Sequence, residues 1–215
     1  MRRLVILGTG GNCVDILEAA QGRYDCIGFL DDDPSRQKML FSGLPVLGPL
    51  EKAASLGDVR FVNGIGSTRN HLRKAEILSR AGIALDRFET ILHPSAQVSP
   101  SAKLSPGVVV LQNATIASNA RIGVHVIILP QTVVSHDDVV GDYTCIAGGV
   151  CVSGGVTIGR SCYLGSNCSI LENLRIGDNS LVGMGSVVLE DIPEGSVYVG
   201  NPAKFLRRSG TPDGV

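Results

Sequence analysis

Two patterns predict a two-part protein. Alternating strand and helix signals over residues 1–90 indicate an α/β Rossmann-like domain, and an unbroken six-residue rhythm after it indicates an all-β parallel β-helix over residues 91–204, followed by a tail over 205–215. Stepping by six from Leu92 gives Val98, Leu104, Val110, Ile116, Ile122, Ile128, Val134, Val140, Ile146, Val152, Ile158, Leu164, Ile170, Ile176, Val182 and Val188. All seventeen positions are Ile, Leu or Val. If such residues filled about a quarter of positions, chance would give that run with odds on the order of 10⁻¹⁰.

Four residues after each of these lies a second class, mostly small: Ala96, Ala102, Ala114, Ala120, Thr132, Asp138, Thr144, Cys162, Cys168, Ser180 and Ser186 among them. A period of six fits neither a helix at 3.6 nor hairpins with variable turns. It fits a short strand and a turn, with one large and one small side chain aimed inward. Three such units close a triangular coil of about 18 residues, and coils stack by parallel strand pairing. Open strand edges at both ends of the rod need covers. The N-terminal domain is expected over one end and Gly200-Asn201-Pro202-Ala203-Lys204 over the other.

In the first part, Arg2–Leu7 reads as a buried strand, followed by the turn Gly8-Thr9-Gly10-Gly11-Asn12 and a helix through Val14, Ile16, Leu17 and Ala20. A second strand, Cys26–Leu30, ends in Asp31-Asp32-Asp33-Pro34. A third, Val59–Val62, leads into Asn63-Gly64-Ile65-Gly66-Ser67 and a helix from about Thr68 to Ala81. A glycine turn between strand and helix brings backbone N–H groups close to a phosphate, and an acid ending the second strand can accept from a ribose or base. The G-x-G-G turn lacks the full G-x-G-x-x-G fingerprint and by itself fits a phosphate loop or an ordinary tight turn equally well. About 90 residues leave no room for a second mononucleotide half, so a nucleotide carrying a small group fits better than a dinucleotide.

Composition narrows the field. The net charge is −1 and charged residues make up 18%, which argues against a nucleic-acid or anionic-membrane partner. No apolar run reaches the roughly 20 residues of a membrane span. The apolar stretch after Met1-Arg2-Arg3 is too short for a signal peptide, so a cytoplasmic location is expected. Six cysteines (Cys13, Cys26, Cys145, Cys151, Cys162 and Cys168) form no CxxC pair and read as reduced, space-filling thiols, with no metal site implied.

Of the four histidines, His136 stands out in Val134-Ser135-His136-Asp137-Asp138. Two residues past an inward Val, it points out of the rod. A lone surface imidazole is ordinarily just solvated, but Asp137 beside it can orient the ring and stabilise its charged form. One coil later comes Gly154-Gly155, stacked about 4.8 Å along the axis. The Gly154 N–H can hold a carbonyl oxygen where a base and an oxyanion donor face one point, as acyl transfer requires.

The segments "SHDDVVGDY", "GGVTIG", "IGDNSLVGMGSVVLEDIP" and "VGNPAK", with N-terminal "GTGGN", "GFLDDD" and "GIGS", resemble the PglD/NeuD-type sugar acetyltransferases over nearly the whole chain. The resemblance implies a left-handed rod and an acetyl-CoA-dependent N-acetyltransferase acting on a nucleotide-linked amino sugar. It implies a homotrimer with sites between adjacent rods. It places the general base at His136 with Asp137 as partner, and the acetyl carbonyl on Gly154. The pantetheine arm would run along Ser166 and Met184, and the nucleotide would sit near Gly10, Gly11, Asp31 and Asp32. Three positions depart from the family pattern: Asn12 replaces a histidine, Cys145 replaces a second coil histidine, and Leu129-Pro130 replaces an Asn-Thr pair, the last two expected to flank the acceptor pocket.

Three other readings remain open on sequence. O-acetylation of sialic acid or another sugar uses the same parts. Metal-dependent hydration of carbon dioxide needs three converging histidines, and only His125 and His136 lie deep in the coils. A non-enzymatic scaffold is compatible with the hexads alone.

Overall fold

The structure is a computed structural model and describes residues 1–210. Its first strand, β1 (Arg2–Leu7), buries Leu4, Val5, Ile6 and Leu7 completely. A run apolar on both faces is what a central strand of a parallel sheet requires. It lies between β2 (Tyr24–Leu30) and β5 (Arg60–Asn63), both parallel to it, with α1 (Gly11–Ala20) as crossover. Two further strands, β3 (Leu40–Phe41) and β4 (Leu44–Gly48), complete the order β3-β4-β2-β1-β5. The sequence reading lacked this hairpin. Its signal is the Ser42-Gly43 pair, at φ 47° and 81°, the left-handed pairing that a two-residue hairpin turn needs. Phe41 docks edge-on against Phe29 at 5.0 Å.

The helix expected over Thr68–Ala81 is shorter. A 3₁₀ turn (His71–Arg73) leads into α2 (Lys74–Ser79). Asn70 Oδ1 accepts the Ser67 N–H at 2.8 Å and holds the first residues in a loop.

From Ile91 onward, seventeen two-residue strands recur every six residues, and the second residue of each is the hexad aliphatic. They form a left-handed parallel β-helix with three faces, each strand pairing with the one eighteen residues on, as in Val133↔Cys151 and Val134↔Val152. The docked face stacks Ile91–Leu92, Val109–Val110, Ile127–Ile128, Cys145–Ile146, Tyr163–Leu164 and Leu181–Val182. The plain face stacks Gln97–Val98, Thr115–Ile116, Val133–Val134, Cys151–Val152, Ser169–Ile170 and Val187–Val188. The basic face stacks Lys103–Leu104, Arg121–Ile122, Val139–Val140, Thr157–Ile158 and Arg175–Ile176.

At the edges the chain turns through the left-handed region. Asn113, Asn119, His125, Gln131, Asp137, Tyr143, Ser161, Asn167, Asn173 and Asn179 all have φ between 53° and 63°. Asn recurs there because its short polar side chain tolerates that conformation best among residues with a Cβ. The small inward positions carry their own hydrogen bonds: Thr132 Oγ1 donates to the Ala147 carbonyl at 2.9 Å and Thr144 Oγ1 to that of Gly159 at 2.8 Å.

The N-terminal domain does not cover the end of the rod, as expected, but lies along its docked face. The outward residues there, Ile91, Val109, Ile127 and Cys145, are apolar and pack with Leu4, Ile6, Cys13 and Ile16 in one buried cluster. The first coil's Leu92, Val98 and Leu104 stay only half-buried. The wide apolar face gains more burial than the narrow end would. The other end closes as expected: Ala203 is buried, its N–H donating to Val187 O at 2.7 Å, while the Val187 N–H donates to Gly200 O. The expected tail begins inside a strand, Lys204–Arg208, antiparallel to Ser196–Val199; residues 211–215 lie outside the described residues.

A buried ammonium pins the two parts together. Lys74 is fully buried and its Nζ donates to the His125 carbonyl at 2.7 Å. Burial pushes the Lys74 ammonium down to about 8. The unfolded chain keeps that proton up to the usual 10.5, so Lys74 makes stability rise with pH between about 8 and 10.5. Cys13, Cys162 and Cys168, each pushed up to about 12 by burial, act in the opposite sense as pH rises past 9. The difference between wild type and Lys74→Met therefore cancels the contribution of these three thiols. Urea unfolding from pH 7.5 to 10 is expected to show the variant's relative stability falling with pH, by on the order of 3 kcal/mol across the window.

Candidate active site

His136 sits on the edge between the plain and basic faces, held by the coil and not by a loop. Its imidazole Nδ1 lies 2.9 Å from Asp137 Oδ2. A carboxylate can only accept, so Nδ1 donates, and in the neutral tautomer this leaves the lone pair on Nε2. Asp137 is fixed from three sides. Its N–H donates to Ser118 O at 2.9 Å, its other oxygen accepts from Asn119 Nδ2 at 3.0 Å, and its φ of 62° turns the carboxylate back toward the ring. The His136 and Asn119 bonds hold its carboxyl below the usual range. Asn119 was missing from the sequence reading. The signal was its position, eighteen residues before Asp137 and therefore stacked one coil below.

Gly154 lies where the coil length placed it. A Cβ there would stand 2.5 Å from His136 Cε1 and 2.6 Å from Nε2, so only glycine fits beside the ring. The neighbouring Gly155 N–H donates to His136 O at 3.0 Å, and Gly154 O accepts from Asn173. Among the described residues the Gly154 N–H has no acceptor. His136, Gly154, Glu172 and Asn173 line a groove of about 460 Å³. Beneath it, Asp138 points into the rod. Burial pushes its carboxyl up to about 7, with one oxygen accepting from Val156 N–H at 2.8 Å and the other unpartnered.

Ser166 and Met184 are not on this edge. They follow Leu164 and Val182 and lie on the edge between the docked and plain faces, with Met184 80% exposed. Within one chain they cannot share a groove with His136.

A second hollow, about 660 Å³, opens between the N-terminal domain and the docked face. Gly10, Gly11, Asp31 and Asp32 all line it, together with Gly64, Gly66 and Ser67 of the third strand's turn. Thr9 Oγ1 donates to Asp31 Oδ2 at 2.6 Å, and Asp32 accepts from Leu50 N–H and pairs with Arg80 at 3.0 Å. Asn12 ties the two glycine turns together, its Nδ2 donating to Gly66 O at 3.0 Å. Arg73 and Arg80 bring positive charge to the wall and Tyr163 an aromatic ring; none was legible as a site residue, because α2 and the docked face meet only in three dimensions. Of the departing positions, Leu129 lines this hollow, whereas Cys145 is buried behind it in the seam. His125 is also in the seam, edge-on to Phe88 at 4.3 Å and pushed down to about 4 by burial. It occupies a different edge from His136, so within one chain the two do not converge.

Residues 3–78 match the family described as "PglD N-terminal domain", and residues 155–190 match "Bacterial transferase hexapeptide (six repeats)". The acetyltransferase domain of PglB from Neisseria gonorrhoeae FA1090 is 31% identical with a TM-score of 0.84, over 96% of this chain and 100% of that one. The chain belongs to the PglD/NeuD-type sugar acetyltransferase family. That PglB domain is also known in complex with acetyl coenzyme A, and PerB from Caulobacter crescentus in complex with CoA and GDP-perosamine. PerB is 29% identical to this acetyltransferase with a TM-score of 0.82, covering 95% of this chain and 97% of that one. WeeI from Acinetobacter baumannii AYE shares the fold at 23% identity, with a TM-score of 0.82 over 94% of this chain and 99% of that one. No curated protein sequence matches the chain.

Gly154→Ala tests the contact at the His136 groove. The added methyl displaces the imidazole from Asp137, and a misplacement near 1 Å costs about 10²-fold in rate. Turnover is expected to fall by that order while the melting temperature stays within a few degrees, because Gly154 is outside the left-handed region.

Proposed function

We propose that this acetyltransferase moves the acetyl group of acetyl-CoA onto the amine of a nucleotide-linked amino sugar, in a homotrimer whose sites are shared between chains. The observation that carries this reading is the stacking of an unpartnered Gly154 N–H on the His136–Asp137 pair. An acceptor arriving as an ammonium first loses one proton to solvent, and Nε2 takes the next from the attacking amine. The amine nitrogen bonds to the thioester carbonyl carbon, the oxyanion rests on the Gly154 N–H, and the C–S bond breaks. The imidazolium returns its proton to the departing CoA thiolate. Similarity to PglB and to the PerB complex supports both substrates.

The separation of the two hollows supports the trimer. In one chain His136 occupies the edge opposite the docked face, so it and the nucleotide cleft face away from each other. The outward residues of the plain face, among them Thr115, Val133, Cys151, Ser169 and Val187, carry no charge. With that face toward a three-fold axis, the His136 edge of each chain meets the next chain's edge bearing Ser166 and Met184. The basic face then looks across at that chain's nucleotide cleft.

His136→Ala is expected to lower kcat about 10²–10⁴-fold with the fold intact. Unchanged turnover would remove the base from the mechanism. A nucleoside diphosphate binding the native cleft at about 100 times its Kd adds about 2.7 kcal/mol of stability. Thermal shifts with UDP, dTDP and GDP are expected to show one protective nucleotide; silence from all three would favour a free sugar acceptor instead.

A further inference from the structure

We propose that Lys103 and Arg121 on the basic face form a binding site for the diphosphate of the acceptor, reaching across to a nucleotide held in the neighbouring chain's cleft. This rests on the trimeric, nucleotide-linked reading above. The two residues are partners in register on adjacent coils, Arg121↔Lys103, with both side chains outward and exposed. Adjacent coils are about 4.8 Å apart, so two like charges stand side by side. Such a pair is destabilising when nothing neutralises it. Among the described residues neither forms an ion pair. The carboxylates nearby are committed elsewhere: Asp142 accepts the Val124 N–H at 2.8 Å, Asp178 the Arg160 N–H at 2.9 Å, and Asp137 holds His136 and Asn119.

The pair borders the reaction centre. Lys103 and Arg121 line a hollow of about 440 Å³ with Ser101, Asn119, Asp137 and Val139. Asp137 belongs to both this hollow and the groove of His136, so the two are contiguous. Along the rod axis Arg121 is one coil below the level of His136, about 5 Å, and Lys103 two coils, about 10 Å, with the three residues from His136 to Val139 adding a lateral offset. That spacing selects the anion. In a nucleotide-linked sugar only one pyranose ring separates the amine from the first phosphate. In acetyl-CoA the whole pantetheine chain separates the thioester from the diphosphate, which must lie much farther from His136. A guanidinium with an ammonium beside it suits two adjacent phosphates, the first by paired hydrogen bonds and the second as a point charge.

The test compares wild type, Lys103→Gln/Arg121→Gln and Arg121→Lys, using 4-amino-4,6-dideoxyhexoses linked to UDP, dTDP and GDP and the matching methyl glycoside. Charge-assisted hydrogen bonds are each worth roughly tenfold or more in affinity. The double variant is therefore expected to raise KM for the nucleotide-linked sugar about 10- to 100-fold, with kcat within about threefold and KM for acetyl-CoA within about twofold. Its preference in kcat/KM for the nucleotide-linked sugar over the methyl glycoside should collapse, and Arg121→Lys should keep most of it. An unchanged KM would reduce the pair to solvated charge. A rise in KM for acetyl-CoA instead would reassign it to CoA phosphate, and a loss of trimer mass by light scattering would make it a subunit ion pair; each overturns the proposal. If wild type acetylates none of the nucleotide-linked sugars, the reading beneath fails first and takes this one with it.

Discussion

The parallel ladder that joins each coil to the next, eighteen residues on, is what the rest of the molecule depends on. Each of the seventeen hexad strands is only two residues long and could not persist alone. Stacking gives each one partners above and below and buries an aliphatic side chain, worth roughly 1.5–3 kcal/mol before entropy. The same ladder positions chemistry. His136 O accepts the Gly155 N–H, and Asp137 N–H donates to Ser118 O, so the backbone bonds that hold the coils also fix the imidazole, its carboxylate and the free amide. In the mechanism proposed, such a site needs little reorganisation when charge develops, which is where electrostatic stabilisation is largest.

Polar groups inside the rod follow the same rule. Thr132 and Thr144 reach carbonyls one coil away, and Asp138 reaches the Val156 N–H. Asp138 leaves its other oxygen without a partner, directly beneath the His136 edge. A protonated carboxyl costs less to bury than a carboxylate, and its rise to about 7 is the response expected of that location. Lys74 meets burial the same way from the cationic side, releasing its proton more readily while keeping a hydrogen bond across the seam.

Legibility in the sequence tracked the locality of the cause. The rod was readable because its period is a property of every coil, and Gly154 could be placed beside His136 by counting. The strands β1, β2 and β5 and the helix α1 were readable from apolar runs and glycine turns. The site residues that escaped, Asn119 aside, owe their positions to contacts across the domain seam: Arg73, Arg80 and Tyr163 meet only because α2 lies against the docked face. Which part of the rod the first domain would cover was misjudged for the same reason. The outward apolar residues Ile91, Val109, Ile127 and Cys145 mark the docked face only when read eighteen apart. The shorter helix after Asn70 reflects a side chain capturing a backbone N–H, a competition that periodicity does not register.

The recurring left-handed turns at the rod's edges carry a consequence for how this lineage can change. A point replacement at a corner such as Asn179 alters that corner alone. Loss or gain of a single residue within a strand is another matter. It turns every later hexad aliphatic from the interior to the outside at one stroke. Descent is thus free to vary the corners, but it keeps the interior filled only when the rod gains or loses whole six-residue units.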